Sequence, residues 1–384
     1  MTKIRVVRPL QNSGIRSFGR WITQESWDNV HTTNDVTTKC TNLMSMVQEQ
    51  LDIHLPAKQV KFHSMDRPWM TAQIKALINQ RQRAFASGDQ SRWKYLRNKV
   101  ARCIVKAKKD YYNTRISKLK NSNPSACYRE IKILTQGTIS APSISIPNLD
   151  ENPDPKVVAN AINDHFISIG SDLPALDRTN LPAFLPSKTE CPGVRRWDVY
   201  LHLRNLKLHK AGTTNDLPIR IIKEFAFELS DPLTDLINSS FRLGDVPLQW
   251  KASQITPIPK SNPPTINNLR PISLTNYFAK VAETFAAKWL LEDIAKNIDQ
   301  RQFGNQPGLS TVHYLVGLLH YLYEHCEKPK SVARVICTDF KKAFDKLDHT
   351  LLVNKLMKHK RFVKRPIFDF GKNPETSVPD YIGT

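Results

Sequence analysis

Arg334-Val-Ile-Cys-Thr-Asp-Phe-Lys-Lys-Ala-Phe-Asp-Lys-Leu-Asp-His349 is the most informative stretch of the chain. Five of the seven residues from Val332 to Thr338 are apolar, and β-branching is frequent, which predicts a buried strand. Asp339 stands at the end of that strand, and a helix is predicted to begin with Ala343 and Phe344. A carboxylate at a rigid strand end can hold a divalent ion together with a neighbouring backbone carbonyl. The same residue can instead cap the helix that follows. Spacing alone leaves both roles open.

Working upstream, Trp250-Lys-Ala-Ser-Gln-Ile-Thr-Pro-Ile-Pro-Lys260 is followed by a polar turn and by Asn268-Leu-Arg-Pro-Ile-Ser-Leu-Thr275. Ile255 to Ile258 reads as a short strand. A strand, a turn and a second strand would bring Lys260 and Arg270 to one side. Such a pair suits a triphosphate, with Arg binding in a bidentate manner and Lys as a point charge. Two exposed cations on a hairpin are the plainer alternative.

Around these segments lie helical patterns at Val199–Leu208, Ile219–Phe241 with a break near Asp231-Pro232, Ala279–Ile298, Val312–His325 and from Leu351. Helices interleaved with short β-branched runs, without regular alternation, define an α+β class. Towards the N-terminus, Val36 to Leu51 is helical, and so is Pro155 to Ile169, with proline at its start. Residues 1–30 show no clear period. Pro142, Pro147, Pro153 and Pro155 mark a linker, and Leu173 to Gly193 is a second proline-rich connection. There is no internal repeat.

The 384 residues carry a net charge of +21. From Lys58 to Lys120 there are 17 Lys/Arg against Asp66, Asp89 and Asp110, so this sixth of the chain holds +14 of that charge. Met70, Ile74, Leu77, Ile78 and Phe85, then Trp93, Leu96, Val100, Ile104, Ala107 and Tyr111, recur at helical spacing about a Gly88-Asp89 turn. The pattern predicts an antiparallel helical hairpin with an apolar stripe and a basic face. Surface helices ordinarily mix both signs. This bias points to a nucleic-acid partner, with Arg81, Lys99, Arg102, Lys106, Lys109 and Arg115 as contacts. A merely solvated face is the alternative. Trp93, Tyr111 and Tyr112 could stack on bases, but Trp93 and Tyr111 lie on the apolar stripe and are expected in the core.

No run of about 18 apolar residues occurs, so no membrane span is expected. The six cysteines form no C-x-x-C pair, and the first residues lack an apolar signal core. An intracellular setting, nucleus or cytoplasm, is the expectation.

Taken together, these blocks resemble the reverse transcriptase of non-LTR (LINE-type) retrotransposons. Trp250–Lys260, Leu269–Thr275 and Lys280–Glu283 resemble its fingers block. Gln302-Phe303-Gly304 with Gly308, Ser310 and Thr311 resembles the next block, and Asp339–Asp345 resembles polymerase motif A. Lys210 to Pro218 is a looser match to "K-A-x-G-P-D-G-I-P". Pro68-Trp69-Met70 and the basic hairpin resemble the linker preceding the polymerase. The resemblance implies that Asp339 is a metal ligand and that the Phe340 carbonyl is a second contact. It makes Phe344 the steric gate against a 2′-hydroxyl and gives the triphosphate to Lys260 and Arg270. It implies Mg²⁺ as cofactor, and an RNA template and DNA primer as partners, or nonspecific nucleic acid.

Two departures bear on activity. The family's second carboxylate set comes from an aromatic-x-Asp-Asp sequence, and no Asp-Asp dipeptide occurs here. Family-like residues also stop near His359, and Arg361 to Thr384 reads as an unrelated polar tail. Asp345 and Asp348 fit helix-surface or first-turn roles. The expected layout is therefore an N-terminal segment (1–57), a basic helical hairpin (58–122), a proline-rich linker with one helix (123–195), a partial polymerase domain with fingers and motif A (196–360), and the tail (361–384). A truncated, incomplete right-hand polymerase, inactive alone and without an endonuclease, is the expected function. A non-catalytic nucleic-acid-binding protein and a non-functional fragment are the alternatives.

Overall fold

The computed structural model describes residues 2–63, 67, 69–122, 127–128, 131, 144, 146, 154–175, 192–208, 210–213, 216–328 and 330–358. Most of the two proline-rich connections and the whole 361–384 tail lie outside the described residues. The chain forms two compact units, one of Met1–Leu10 with Pro56–Ser143, the other of Gln11–Leu55 with Ile144–Thr384.

In the first unit, β1 (Thr2–Val7) pairs antiparallel with β2 (Lys58–His63), in a register running from Thr2↔His63 to Val7↔Lys58. This pairing was not legible in the sequence, because its partners are separated by a segment belonging to the other unit. Residues 58–63 are thus strand, and the helical hairpin begins after them. It consists of α4 (Ala72–Ala86) and α5 (Gln90–Ser122). Thr71 starts α4 by accepting from the Ile74 amide at 3.3 Å, and Asp89 starts α5 by accepting from the Arg92 amide at 2.9 Å. Gly88 makes the turn between them at φ +73°, a conformation that costs glycine little. Ile74, Leu96 and Val100 of the expected stripe are buried, but Phe85 is 66% exposed and its neighbour Ala84, outside the expected stripe, is buried instead. Trp93 and Tyr111 are half-buried rather than core.

The second unit is mainly helical. Its N-terminal part holds α1 (Asn12–Ile22), the short α2 (Asp28–His31) and α3 (Val36–His54). Ile15, Phe18 and Ile22 supply a buried face at helical spacing where the opening residues had shown no clear period. After α6 (Pro155–Ser168) come α7 (Arg196–Arg204), α8 (Ile219–Glu224), α9 (Ala226–Leu243) and the single turn α10 (Leu248–Lys251). The break in the long helical tract falls at Phe225, not at Asp231-Pro232. Phe225 leaves helical geometry and sets its ring edge-on to Phe18, 5.1 Å between centroids. Pro232 lies inside α9, where it forfeits one amide to the preceding turn yet is buried.

Lys39 lies on the apolar side of α3, 3% exposed, and its ammonium pairs with Asp235 of α9. His31 faces Asp231 at 3.1 Å and Asp235 at 3.5 Å, and Arg196 reaches Asp231 at 3.4 Å. Lys39 is buried and Asp235 about a third exposed, so losing Asp235 would leave a buried ammonium uncompensated, and charge as well as apolar burial joins α3 to α9.

The remaining elements are β3 (Gln254–Pro259), β4 (Leu269–Leu274), α11 (Tyr277–Ile294), α12 (Thr311–Cys326) and α13 (His349–Lys358). The mixture is helix-dominated, with one two-stranded sheet in each unit among the described residues. Residues Val332–Thr338 are not a strand. They run without ladder partners, with Val332 90% and Ile336 80% exposed. A lone extended segment cannot bond its own amides and carbonyls, so β-propensity without a partner yields no strand. The following helix also starts later than expected. Residues 341–346 are turns, and α13 begins at His349, where Asp348 accepts from the Leu351 amide at 3.0 Å. Asp348, not Asp339, is therefore the cap. Among the described residues no helix is long and apolar enough to cross a membrane.

Candidate functional site

The best-formed part of the candidate site is the β3–β4 hairpin. Its antiparallel register pairs Ile258 with Arg270, and the Lys260 amide donates to the Asn268 carbonyl at 2.8 Å just beyond the last ladder pair. Side chains alternate along a strand, and directly opposed residues share a face. Arg270, Ile258 and Lys260 therefore stand on one face, with Thr256 and Ile272. That face is exposed, whereas Leu269, Pro271 and Pro257 turn inward. Among the described residues neither Lys260 nor Arg270 forms an ion pair. A phosphate group approaching this face would meet a five-donor guanidinium and a flexible ammonium, neither already neutralised.

Just after β4 in sequence lies a cluster that sequence reasoning missed. The Asp216 carboxylate accepts from the Thr213 amide at 2.7 Å, from Asn276 Nδ2 at 2.7 Å and from the Tyr277 amide at 3.4 Å. Tyr277 Oη donates in turn to the Lys210 carbonyl at 2.9 Å. Lys210, Thr213 and Asp216 are thereby tied to the start of α11, which follows the strand that carries Arg270. Gly212 is needed for this approach. A Cβ there would lie 2.5 Å from the Tyr277 ring and 2.6 Å from Asp216 Oδ2. Burial raises the Asp216 carboxyl above the usual range, against the hydrogen bonds from Thr213 and Tyr277 and the nearby Lys280, which all favour the charged form. The sequence signal was a polar residue, Asn276, immediately before an apolar helical run. It does cap α11, accepting from the Phe278 amide at 2.8 Å.

Asp339 is placed differently. It is exposed, and no hydrogen bond or ion pair joins it to another described residue. Phe340 and Phe344 are 83% and 87% exposed. The turn beyond them is held by Lys346, which pairs with Asp172 at 2.7 Å, and that hydrogen bond keeps the Asp172 carboxyl below its ordinary range. Among the described residues no three His, Cys, Asp or Glu side chains gather to hold a metal ion. Among the described residues the carboxylates do not gather as a two-ion centre requires, with several anionic oxygens about two ions roughly 4 Å apart.

The basic hairpin, in the first unit, is a separate candidate in its own right. Lys99, Arg102, Lys106 and Lys109 follow one another at spacings of three, four and three on α5, which sets them in one line. All four are exposed and, among the described residues, unpaired. At 1.5 Å per residue this line is about 15 Å long. Arg81 on α4 is half-buried. Arg115 belongs to α5 by its backbone, and its side chain lies outside the described residues.

A cleft of about 520 Å³ opens between α7 and α11, lined by Asp198, His202, Lys288 and Trp289 among others. Its guanidinium, Arg195, is already bound by both oxygens of Asp198 at 2.8 and 3.2 Å, so the cleft is a poorer anion site than the hairpin face. Desolvation, and then Lys288, lower the His202 pKa against the pull of Asp198.

Residues 258–373 match the family model described as Reverse transcriptase (RNA-dependent DNA polymerase). Over this part the chain is similar to reverse transcriptases, a similarity that supports a reverse transcriptase relationship and implies a nucleic-acid template and primer. The match begins within β3, spans Lys260, Arg270 and the Asp339 block, and continues into the stretch read as a polar tail.

Proposed function

We propose that this chain is the linker, fingers and first palm part of a non-LTR retrotransposon RNA-directed DNA polymerase, and that by itself it binds RNA or DNA without polymerising it. The observation that carries the second half is that Asp339 stands in no cluster of metal-holding carboxylates among the described residues. One carboxylate does not hold two ions against water, and the sequence has no Asp-Asp dipeptide to supply more. Polymerisation in this reading requires carboxylates beyond those that stand near Asp339 among the described residues. Asp339 and the Phe340 carbonyl are then one side of the metal site, Phe344 is the gate at the sugar, and Lys260 and Arg270 hold the triphosphate.

Binding is supported by the fixed basic line on α5 and by the paired cations on the β3–β4 face. Each contacted phosphate releases about 0.7 to 0.9 of a counterion, so affinity should fall steeply with salt. With about five phosphates contacted, the loss between 50 and 200 mM salt should be roughly a hundredfold or more. The test joins both halves. The full chain is assayed for primer extension with Mg²⁺ or Mn²⁺ and for binding of labelled single-stranded RNA at several salt concentrations. No incorporation above a mock preparation, with salt-dependent binding, is expected. Incorporation that disappears in Asp339→Ala would overturn the proposed inactivity, and salt-independent binding would overturn the electrostatic interface.

A further inference from the structure

Tyr95 lies one helical turn before Lys99 and continues the line of Lys99, Arg102, Lys106 and Lys109 along α5. It is 60% exposed and contributes little to the helical seam, where the neighbouring Leu96 and Val100 are buried. The Lys99 ammonium stands 5.6 Å from the centre of the Tyr95 ring. An exposed contact of this kind is worth about 0.5–1 kcal/mol, too little to explain why a large ring is held in water at the head of a cationic line. The aromatic residues towards the other flank are engaged differently. Phe85 and Trp93 pack on each other across the hairpin turn at 5.9 Å, and Arg97 covers Trp93 at 5.2 Å.

We infer that Tyr95 and the line behind it form a track for single-stranded nucleic acid, with one base stacked on the Tyr95 ring and phosphates on the four cations. This rests on the proposed binding of nucleic acid by the same helix and adds which form of it is taken. Every base has a π-face, so stacking needs no particular sequence, but it does need an unpaired base. In a duplex the base faces are already stacked inside, and a helix lying along the backbone reaches only phosphates and groove edges. An acidic polypeptide could also neutralise the cations, but it offers no flat ring for Tyr95.

The full chain should be titrated with labelled single-stranded RNA, with the same sequence as a duplex, and with polyglutamate of equal charge. Tyr95→Ala should weaken single-strand binding about tenfold, with an unchanged salt slope and unchanged duplex binding. Tyr95→Phe should keep the wild-type affinity, because the stacking face remains. The combined Lys99→Gln, Arg102→Gln, Lys106→Gln and Lys109→Gln variant should weaken both RNA forms and flatten the salt slope. Helicity by circular dichroism should be the same for all variants. If the four-residue variant lowers affinity but Tyr95→Ala is neutral, or weakens duplex binding equally, the stacking role is wrong and the interface stands. If the four-residue variant is neutral, the interface itself is wrong. Polyglutamate binding as tight as the single strand would overturn the assignment to nucleic acid.

Discussion

Gln254–Pro259 and Val332–Thr338 are both short and β-branched, and each leads to a residue with a proposed part in nucleotide chemistry, yet only the first lies in a sheet. Gln254–Pro259 has its partner a short loop away, so closing the hairpin orders few residues for a full ladder. Its inward face also has something to bury, since Leu269 is only 5% exposed. Val332–Thr338 has neither ladder nor cover. Lys260 and Arg270 consequently share a defined face, whereas Asp339 has apolar neighbours in sequence but an open setting in space. A local pairing partner, more than β-propensity, separates a formed site from an unformed one.

The largest expected contrast is in thiol chemistry. Cys337 belongs to the unpaired run and is exposed, whereas Cys40 is buried in α3 and burial pushes its thiol up to about 12. The thiolate is the reactive form, so a shift of this size lowers Cys40 alkylation at neutral pH by about a thousandfold relative to an ordinary thiol. Mass spectrometry after a timed iodoacetamide pulse should show Cys337 labelled and Cys40 intact. Protection of Cys337 would mean that the run has a cover, and the contrast with β3 would collapse.

Next comes one substitution made in both regions. Leu269→Asp places a carboxylate on the inward face of the hairpin and should cost about 3 kcal/mol in urea unfolding. Ile336→Asp, at an open position, should change stability by less than about 0.5 kcal/mol. Equal costs would show that residues 332–338 are packed like the hairpin.

The smallest expected effect compares two aspartates. Asp216→Ala removes the acceptor of three hydrogen bonds and should cost about 2 kcal/mol, while Asp339→Ala should be near neutral. Asp216 also carries a pH signature. Its folded-state pKa is raised, so folding takes up a proton in the window between the unfolded and folded values. Its contribution is fully present below the ordinary aspartate range and is lost as pH rises through the higher folded value. Subtracting the pH–stability curve of Asp216→Asn from that of the unsubstituted chain should isolate this slope. A difference curve that rises with pH would contradict the burial that raises this carboxyl.

Helices were the more legible elements because their apolar spacing and caps are local. Asp35, Thr71 and Asp154 each accept from an amide at the start of a helix, and α3, α4 and α6 follow them. The hairpin's cations were also legible, since a turn between two β-branched runs brings them together whatever surrounds it. By contrast, β1 and β2 pair across a segment of the other unit, and Lys39 and Asp235 meet from helices almost two hundred residues apart in sequence. No local period encodes such meetings.

The sequence by itself determined the charged helical hairpin, the amphipathic helices, the Lys260–Arg270 pair and the motif blocks of the polymerase resemblance. Each depends on residues within a few turns or one strand of each other, where backbone geometry fixes which side chains share a face. Only the tertiary structure decided that Asp216 ties Lys210 and Thr213 to the start of α11, and that Val332–Thr338 makes no strand. Those outcomes turn on whether a distant partner is there to satisfy a backbone or a carboxylate, and this is a property of the assembled chain.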